Sequence, residues 1–188
     1  MPNKEIAEPG RTMTLEAFAD TMLPGARRFV GDRAVAGVLT GGGAVASGAV
    51  TVLEMSAPGI SAGLDDLVKL LNEHAALYAE QHGLAGDESV PAFVSLPFEH
   101  RTQLARQLLA PGHPEKEFWV LLALFSYMAF DGAPHMHTTD ALAAGHPGLT
   151  AMGFARPDAD GLWRFPAYSY GRPLAAIHPD TTPSGSPA

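Results

Sequence analysis

Residues 114–154 read PEKEFWVLLALFSYMAFDGAPHMHTTDALAAGHPGLTAMGF, an unbroken apolar run that empties into a turn holding His135, His137, His146, Asp131 and Asp140. Pro114 suits the first turn of a helix, and Glu115 and Glu117 sit well against its positive end. From Phe118 onward the run is apolar on every side. That pattern predicts a buried central helix over about 114–131, covered by neighbours rather than facing water. The run Phe118–Phe130 is well short of the roughly 20 residues that cross a bilayer. A short helix over Thr139–Ala144 is expected next, capped by Thr138 and ended by Gly145.

Upstream, helical spacing dominates. Leu15, Phe18, Ala19 and Met22 share one face of an expected helix over Thr14–Met22, which Pro24-Gly25 stops. The segment from Asp32 is apolar and small, and Gly41-Gly42-Gly43 argues for a break between two short helices, the second over Val45–Met55. A longer helix over about Ala62–His82 places Leu64, Leu67, Val68, Leu71, Ala75 and Tyr78 on one stripe, with Gly83 as its stop. FEHRTQLARQLLA, residues 98–110, gives another before Pro111-Gly112. Past Gly145 the chain is rich in Pro and Gly and carries Phe154, Trp163, Phe165, Tyr168 and Tyr170, which reads as an extended aromatic arm. The expected organisation is an all-α, single-domain helical bundle over 12–178, with a flexible leader over 1–11 and a flexible tail over 179–188.

Composition narrows the function. With 20 acidic against 12 basic residues the formal charge is −8, which repels phosphate backbones and anionic lipid, so neither nucleic acid nor membrane is an expected partner. The absence of cysteine removes disulfides, thiolate metal sites and cysteine nucleophiles, so a metal would need His, Asp or Glu. The first residues lack an apolar signal core, and Arg27-Arg28 lacks the apolar stretch of a twin-arginine signal, so a cytoplasmic location is expected.

Three constellations carry possible chemistry. Gly41-Gly42-Gly43 followed by Ala44–Ala46 fits G-x-G-x-x-A, yet no second strand with an acidic residue comes after it, so a close crossing or bend is the expected role rather than a nucleotide cradle. His135 and His137, two residues apart, can aim at one point from extended backbone, and His146 with Asp131 or Asp140 could complete a zinc, iron or manganese site or an acid/base pair. The quieter reading has His137 and Asp140 capping the short helix and His135 fixing the loop. Third, Trp119, Tyr127, Met136, Met152, Phe154, Trp163, Tyr168 and Tyr170 are candidates to line a pocket for a flat hydrophobic ligand. No G-x-S-x-G elbow accompanies Ser47, Ser95 or Ser126.

LEAFADTMLPG (residues 15–25), with a Gly/Ala-rich segment ending in TVLE (51–54), is similar to the N-terminal part of the small subunit, subunit 3, of gluconate 2-dehydrogenase. FWVLLALFSYMAFDGA (118–133) and GHPGLTAMGFARP (145–157) resemble that family's closing segment. AFDGAPHMHTTDALAAGHPGL (129–149) and DGLWRFPAYSYGRPL (160–174) resemble uncharacterised actinobacterial proteins, some near natural-product biosynthesis genes. The resemblance implies a helical accessory protein that holds no FAD itself and accompanies a flavin-bearing oxidoreductase subunit; it supplies no catalytic residues. The family commonly has a twin-arginine leader, which is not expected here, and its loop lacks His135-Met136-His137. Two functions are therefore expected. The first is a non-catalytic accessory protein that binds a flavin-dependent oxidoreductase or a hydrophobic, polycyclic metabolite through 131–154 and the arm. The alternative is a small tailoring enzyme of natural-product biosynthesis that uses His135, His137 or His146 with Asp131 or Asp140.

Overall fold

The stripe on the long helix organises the core. In the computed structural model, which describes residues 8–56, 59–159 and 179–180, Leu64, Leu67, Val68, Leu71, Ala75 and Tyr78 are all buried on one face of a helix over Leu64–Gln81. Eight helices succeed one another among the described residues: α1 (Glu8–Met22), α2 (Ala49–Glu54), α3 (Leu64–Gln81), α4 (Ala92–Ser95), α5 (Phe98–Leu108), α6 (Lys116–Gly132), α7 (Thr138–Ala143) and α8 (Pro147–Ala151). A single 3₁₀ turn over Ser61–Gly63 leads into α3. No strand occurs among the described residues, and the fold is all-α. No described helix is long and apolar enough to cross a membrane.

The chain divides into two units, Met1–Phe154 and Ala155–Ala188. All eight helices lie in the first. Its main core joins Leu15 and Phe18 of α1, Leu53 of α2, the α3 stripe, Phe93, Leu104, Leu108, Trp119 and Leu122. Phe18 stands at its middle, with the rings of Phe93 and Trp119 at 6.2 and 6.4 Å. A second, small-residue cluster of Ala19, Ala44, Ala49, Val52 and Ala129 lets α1, α2 and α6 approach closely. The expected aromatic arm falls largely outside the described residues, and so do Trp163, Phe165, Tyr168 and Tyr170.

Three local expectations are corrected. Helix α1 starts at Glu8, six residues before the apolar spacing does, because Pro9 is tolerated in a first helical turn. The expected helix after Asp32 is absent: residues 33–38 are irregular. Buried acceptors replace the helical carbonyls there. Asp20 accepts from the amides of Gly25 and Ala36 at 3.1 and 2.8 Å, and Asp32 accepts from those of Arg28 and Val35 at 3.3 and 3.2 Å. Arg101, itself buried, donates to the carbonyls of Leu96, Ala34, Arg33 and Val94, tying this segment to α4 and α5. Burial pushes its guanidinium down to about 10, which leaves it charged at neutral pH. For Asp20 burial is likewise the largest influence and raises the carboxyl above its ordinary value.

The third correction concerns α6. It packs on α1, α2 and α8 and buries Trp119, Leu122, Ala123, Ser126 and Ala129. Its other face is open: Phe118, Val120, Leu121, Leu124 and Tyr127 are 41–51% exposed. The helix is apolar all round but covered on one side.

Gly42 and Gly43 serve a close approach, while a Cβ on Gly41 would meet nothing within 4 Å. A Cβ on Gly43 would stand 2.5 Å from the Leu23 carbonyl oxygen, and one on Gly42 would stand 2.4 Å from Pro147. Backbone bonds from Ala26 to Gly41 and from Ala44 to Leu23 stitch the crossing.

Candidate functional site

The end of α6 creates the histidine turn. Ala133 takes a left-handed conformation, φ 45° and ψ 49°, and the chain reverses there into Pro134. Ala133, Ala141, Leu142 and Leu149, with Met136 against them, form a small core that holds the turn, α7 and α8 together. His137, rather than Thr138, occupies the cap position of α7; its side chain makes no cap bond, and its Nδ1 meets Thr139 Oγ1 at 2.7 Å. Gly145 ends α7 at φ 71°. His146 then opens α8 ahead of Pro147.

Two of the five acid/base candidates come together. The rings of His135 and His146 have centroids 6.0 Å apart. His146 is buried and fully engaged: Nδ1 accepts from the Leu149 amide at 3.3 Å, which leaves Nε2 as the donor to the Ser47 carbonyl at 3.1 Å. Neither nitrogen is left for a metal, so His146 is a pin between α8 and the start of α2. His135 packs on Gly48, where a Cβ would meet its Nε2 at 2.6 Å. Its Nδ1 is buried, with no hydrogen-bond partner among the described residues, and the neighbouring Ser47 Oγ is orphaned likewise. Burial, and secondly His146, pushes the His135 imidazole below its ordinary value. Asp131, His137 and Asp140 are exposed, and neither carboxylate bonds to an imidazole among the described residues.

The aromatic candidates separate too. Trp119 is sealed in the core, with no accessible surface, and lines no open cleft. Tyr127 is half exposed, and its hydroxyl donates to the Met22 carbonyl at 2.9 Å. Met136 belongs to the small core. Met152 and Phe154 are half exposed at the end of the first unit. Trp163, Tyr168 and Tyr170 lie outside the described residues.

One grouping escapes a reading of the sequence. His74 from the middle of α3 meets Glu115 at the start of α6, with His74 Nε2 2.8 Å from Glu115 Oε2. The indole N–H of Trp119, one turn on, donates to the same oxygen at 3.3 Å. His113 completes the set: its ring stands 5.9 Å from that of His74, and its Nδ1 accepts from the Glu115 amide at 3.2 Å. Among the described residues, His74, His113 and Glu115 are the three that could hold a metal ion. The local signal is H-x-E over 113–115; its partner lies 41 residues away from Glu115, and only packing reveals it.

Comparison with known proteins adds one match. The sequence profile of DUF5987, described as a family of unknown function, matches residues 9–188. The chain belongs to the DUF5987 family. No curated protein and no solved structure matches it. The matched span takes in the DUF5987 chain's histidine turn, the open face of α6 and the His74–His113–Glu115 grouping alike.

Proposed function

We propose that this DUF5987 protein is a non-catalytic accessory protein that docks a protein partner on the outward face of α6. The observation that carries the reading is the set Phe118, Val120, Leu121, Leu124 and Tyr127, each about half exposed on one helix. Together they present on the order of 400 Å² of apolar surface, the size of the largest patch on a typical monomer, which is often a functional one. Small-ligand sites are concave, whereas one side of a single helix is convex and suits a groove on another protein. A recess of about 390 Å³ lies elsewhere, lined by Met13, Glu16, Arg28 and Phe29 among others and by no residue of α6. For the α6 face, this convex shape favours a protein partner over a polycyclic metabolite.

A flavin-dependent oxidoreductase is the proposed partner, on the likeness of residues 15–25 and 118–133 to the small subunit of gluconate 2-dehydrogenase. FAD then belongs to the partner. The test is co-expression with the flavin-bearing catalytic subunit of a gluconate 2-dehydrogenase-type oxidoreductase from the same source, and then size-exclusion chromatography. The wild-type chain is expected to co-elute with it at a fixed ratio. The double variant Leu121→Glu, Leu124→Glu is expected to elute alone with an unchanged helical circular-dichroism spectrum. Co-elution that survives the double variant overturns the docking face. Turnover of a small substrate by the isolated chain, abolished by His135→Ala, overturns the accessory reading in favour of the tailoring enzyme.

A further inference from the structure

Glu115 sits at the position where a short polar side chain normally caps a helix, yet its carboxylate makes no cap bond to α6. It is turned instead toward two imidazoles. His74 Nε2 lies 2.8 Å from Oε2, and the Trp119 indole N–H fixes the same oxygen from the side away from solvent. A hydrogen bond to His74 needs no third member. His113 is nevertheless folded back over the pair by the turn between α5 and α6, its ring edge-on to that of His74. Nδ1 of His113 accepts the Glu115 amide hydrogen in one long bond of 3.2 Å and its Nε2 has no hydrogen bond among the described residues, so, unlike the doubly held His146, this half-buried ring can turn a lone pair to an ion at the loss of one weak bond.

We propose that His74, His113 and Glu115 form a zinc-binding site where α3 meets the start of α6. One ligand atom from each lies within 4.8 Å of the other two. Tetrahedral zinc with bonds of about 2.0–2.1 Å sets its ligands about 3.4 Å apart, so side-chain rotation closes the remaining gap. Two nitrogens and one carboxylate oxygen, without thiolate, suit Zn²⁺ better than the harder Mg²⁺ or Ca²⁺, which take oxygen ligands. Three protein ligands leave a fourth position for water. The side chains of His74 and Glu115 each keep about a quarter of their surface accessible, which provides a path for the ion. Trp119 then acts as the outer partner that orients the carboxylate, the usual role of a donor behind a metal ligand. This inference is independent of the docking face proposed for α6.

The experiment is zinc titration of the full, untagged, chelator-treated chain by isothermal calorimetry, repeated for His113→Ala, Glu115→Gln and the control His135→Ala, His137→Ala. The wild-type protein is expected to bind one zinc with a dissociation constant of about 1 µM or tighter, and His113→Ala to weaken it about 100-fold. Glu115→Gln keeps the shape of the side chain, and it is expected to weaken binding at least tenfold without loss of helical signal. The control pair is expected to bind as wild type. Cobalt in place of zinc should give the visible absorption of a four-coordinate site, absent in His113→Ala. Failure to saturate at one equivalent, or binding unchanged in both His113→Ala and Glu115→Gln, overturns the proposal and leaves His74–Glu115 as a plain hydrogen-bonded pair. Zinc binding lost only in the control pair moves the metal to the 131–146 turn and overturns it equally.

Discussion

Replacing Gly148 with alanine tests how the histidine turn is held against α6. A Cβ at Gly148 would stand 1.9 Å from the Phe130 carbonyl oxygen, 2.6 Å from its carbon and 2.8 Å from Phe130 Cα. All three are backbone atoms, so no side chain can swing away. Restoring ordinary contact, from 1.9 to about 3.4 Å, requires α8 to retreat by about 1.5 Å; overpacking of this severity costs about 3 kcal/mol. The escape is for α8 to peel away. That exposes Leu149, worth about 2 kcal/mol, and breaks the His146–Ser47 bond, worth about 1 kcal/mol. Both routes therefore cost about 3 kcal/mol. At about 2–4 °C per kcal/mol for a chain of this size, the melting temperature should fall by about 6–12 °C. Hydrogen exchange distinguishes the routes: peeling predicts faster amide exchange over 133–151 and little change in α3. A melting temperature within about 1 °C of wild type, with unchanged exchange over 133–151, would refute the close α6–α8 approach.

Arg101→Met should cost about 3–5 kcal/mol in urea unfolding, because it strands the four carbonyls that Arg101 serves and leaves Asp20 without its cation; a loss below about 1 kcal/mol would contradict that role. The His135 imidazole titrates lower in the folded chain than in the unfolded one, so the unfolded state takes up protons first as pH falls below the ordinary histidine value of about 6.5. Stability should therefore decline on acidification through that window, and His135→Gln should flatten the decline in melting temperature between about pH 7.5 and 5.5, read by circular dichroism; an identical slope in the variant would count against burial as the cause.

Periodicity reports the helices well where one face is apolar and the other polar. The α3 stripe is legible from Leu64 to Tyr78 because water on one side and core on the other impose a 3.6-residue repeat on the sequence. Segment 33–38 reads as helix by composition, while its geometry is decided by Asp20, Asp32 and Arg101, acceptors and donors from other elements. The 131–146 turn stands out in the sequence for its ligand-type side chains. Folding turns His135 and His146 inward onto Ser47 and Gly48, and it leaves Asp131, His137 and Asp140 exposed.

From the chain alone come the all-α class, the extents of α3 and α5, the stops at Gly83 and Pro111-Gly112, and the exclusion of thiolate chemistry. These rest on local preference and composition, which need no knowledge of distant partners. Only the tertiary structure decided which side of α6 is covered and that His74 meets His113 and Glu115 across α3 and α6. A helix that is apolar all round carries no mark of which side its neighbours will take. Two histidines 39 positions apart, counted from 74 to 113, carry no mark of sharing a site until packing brings them together.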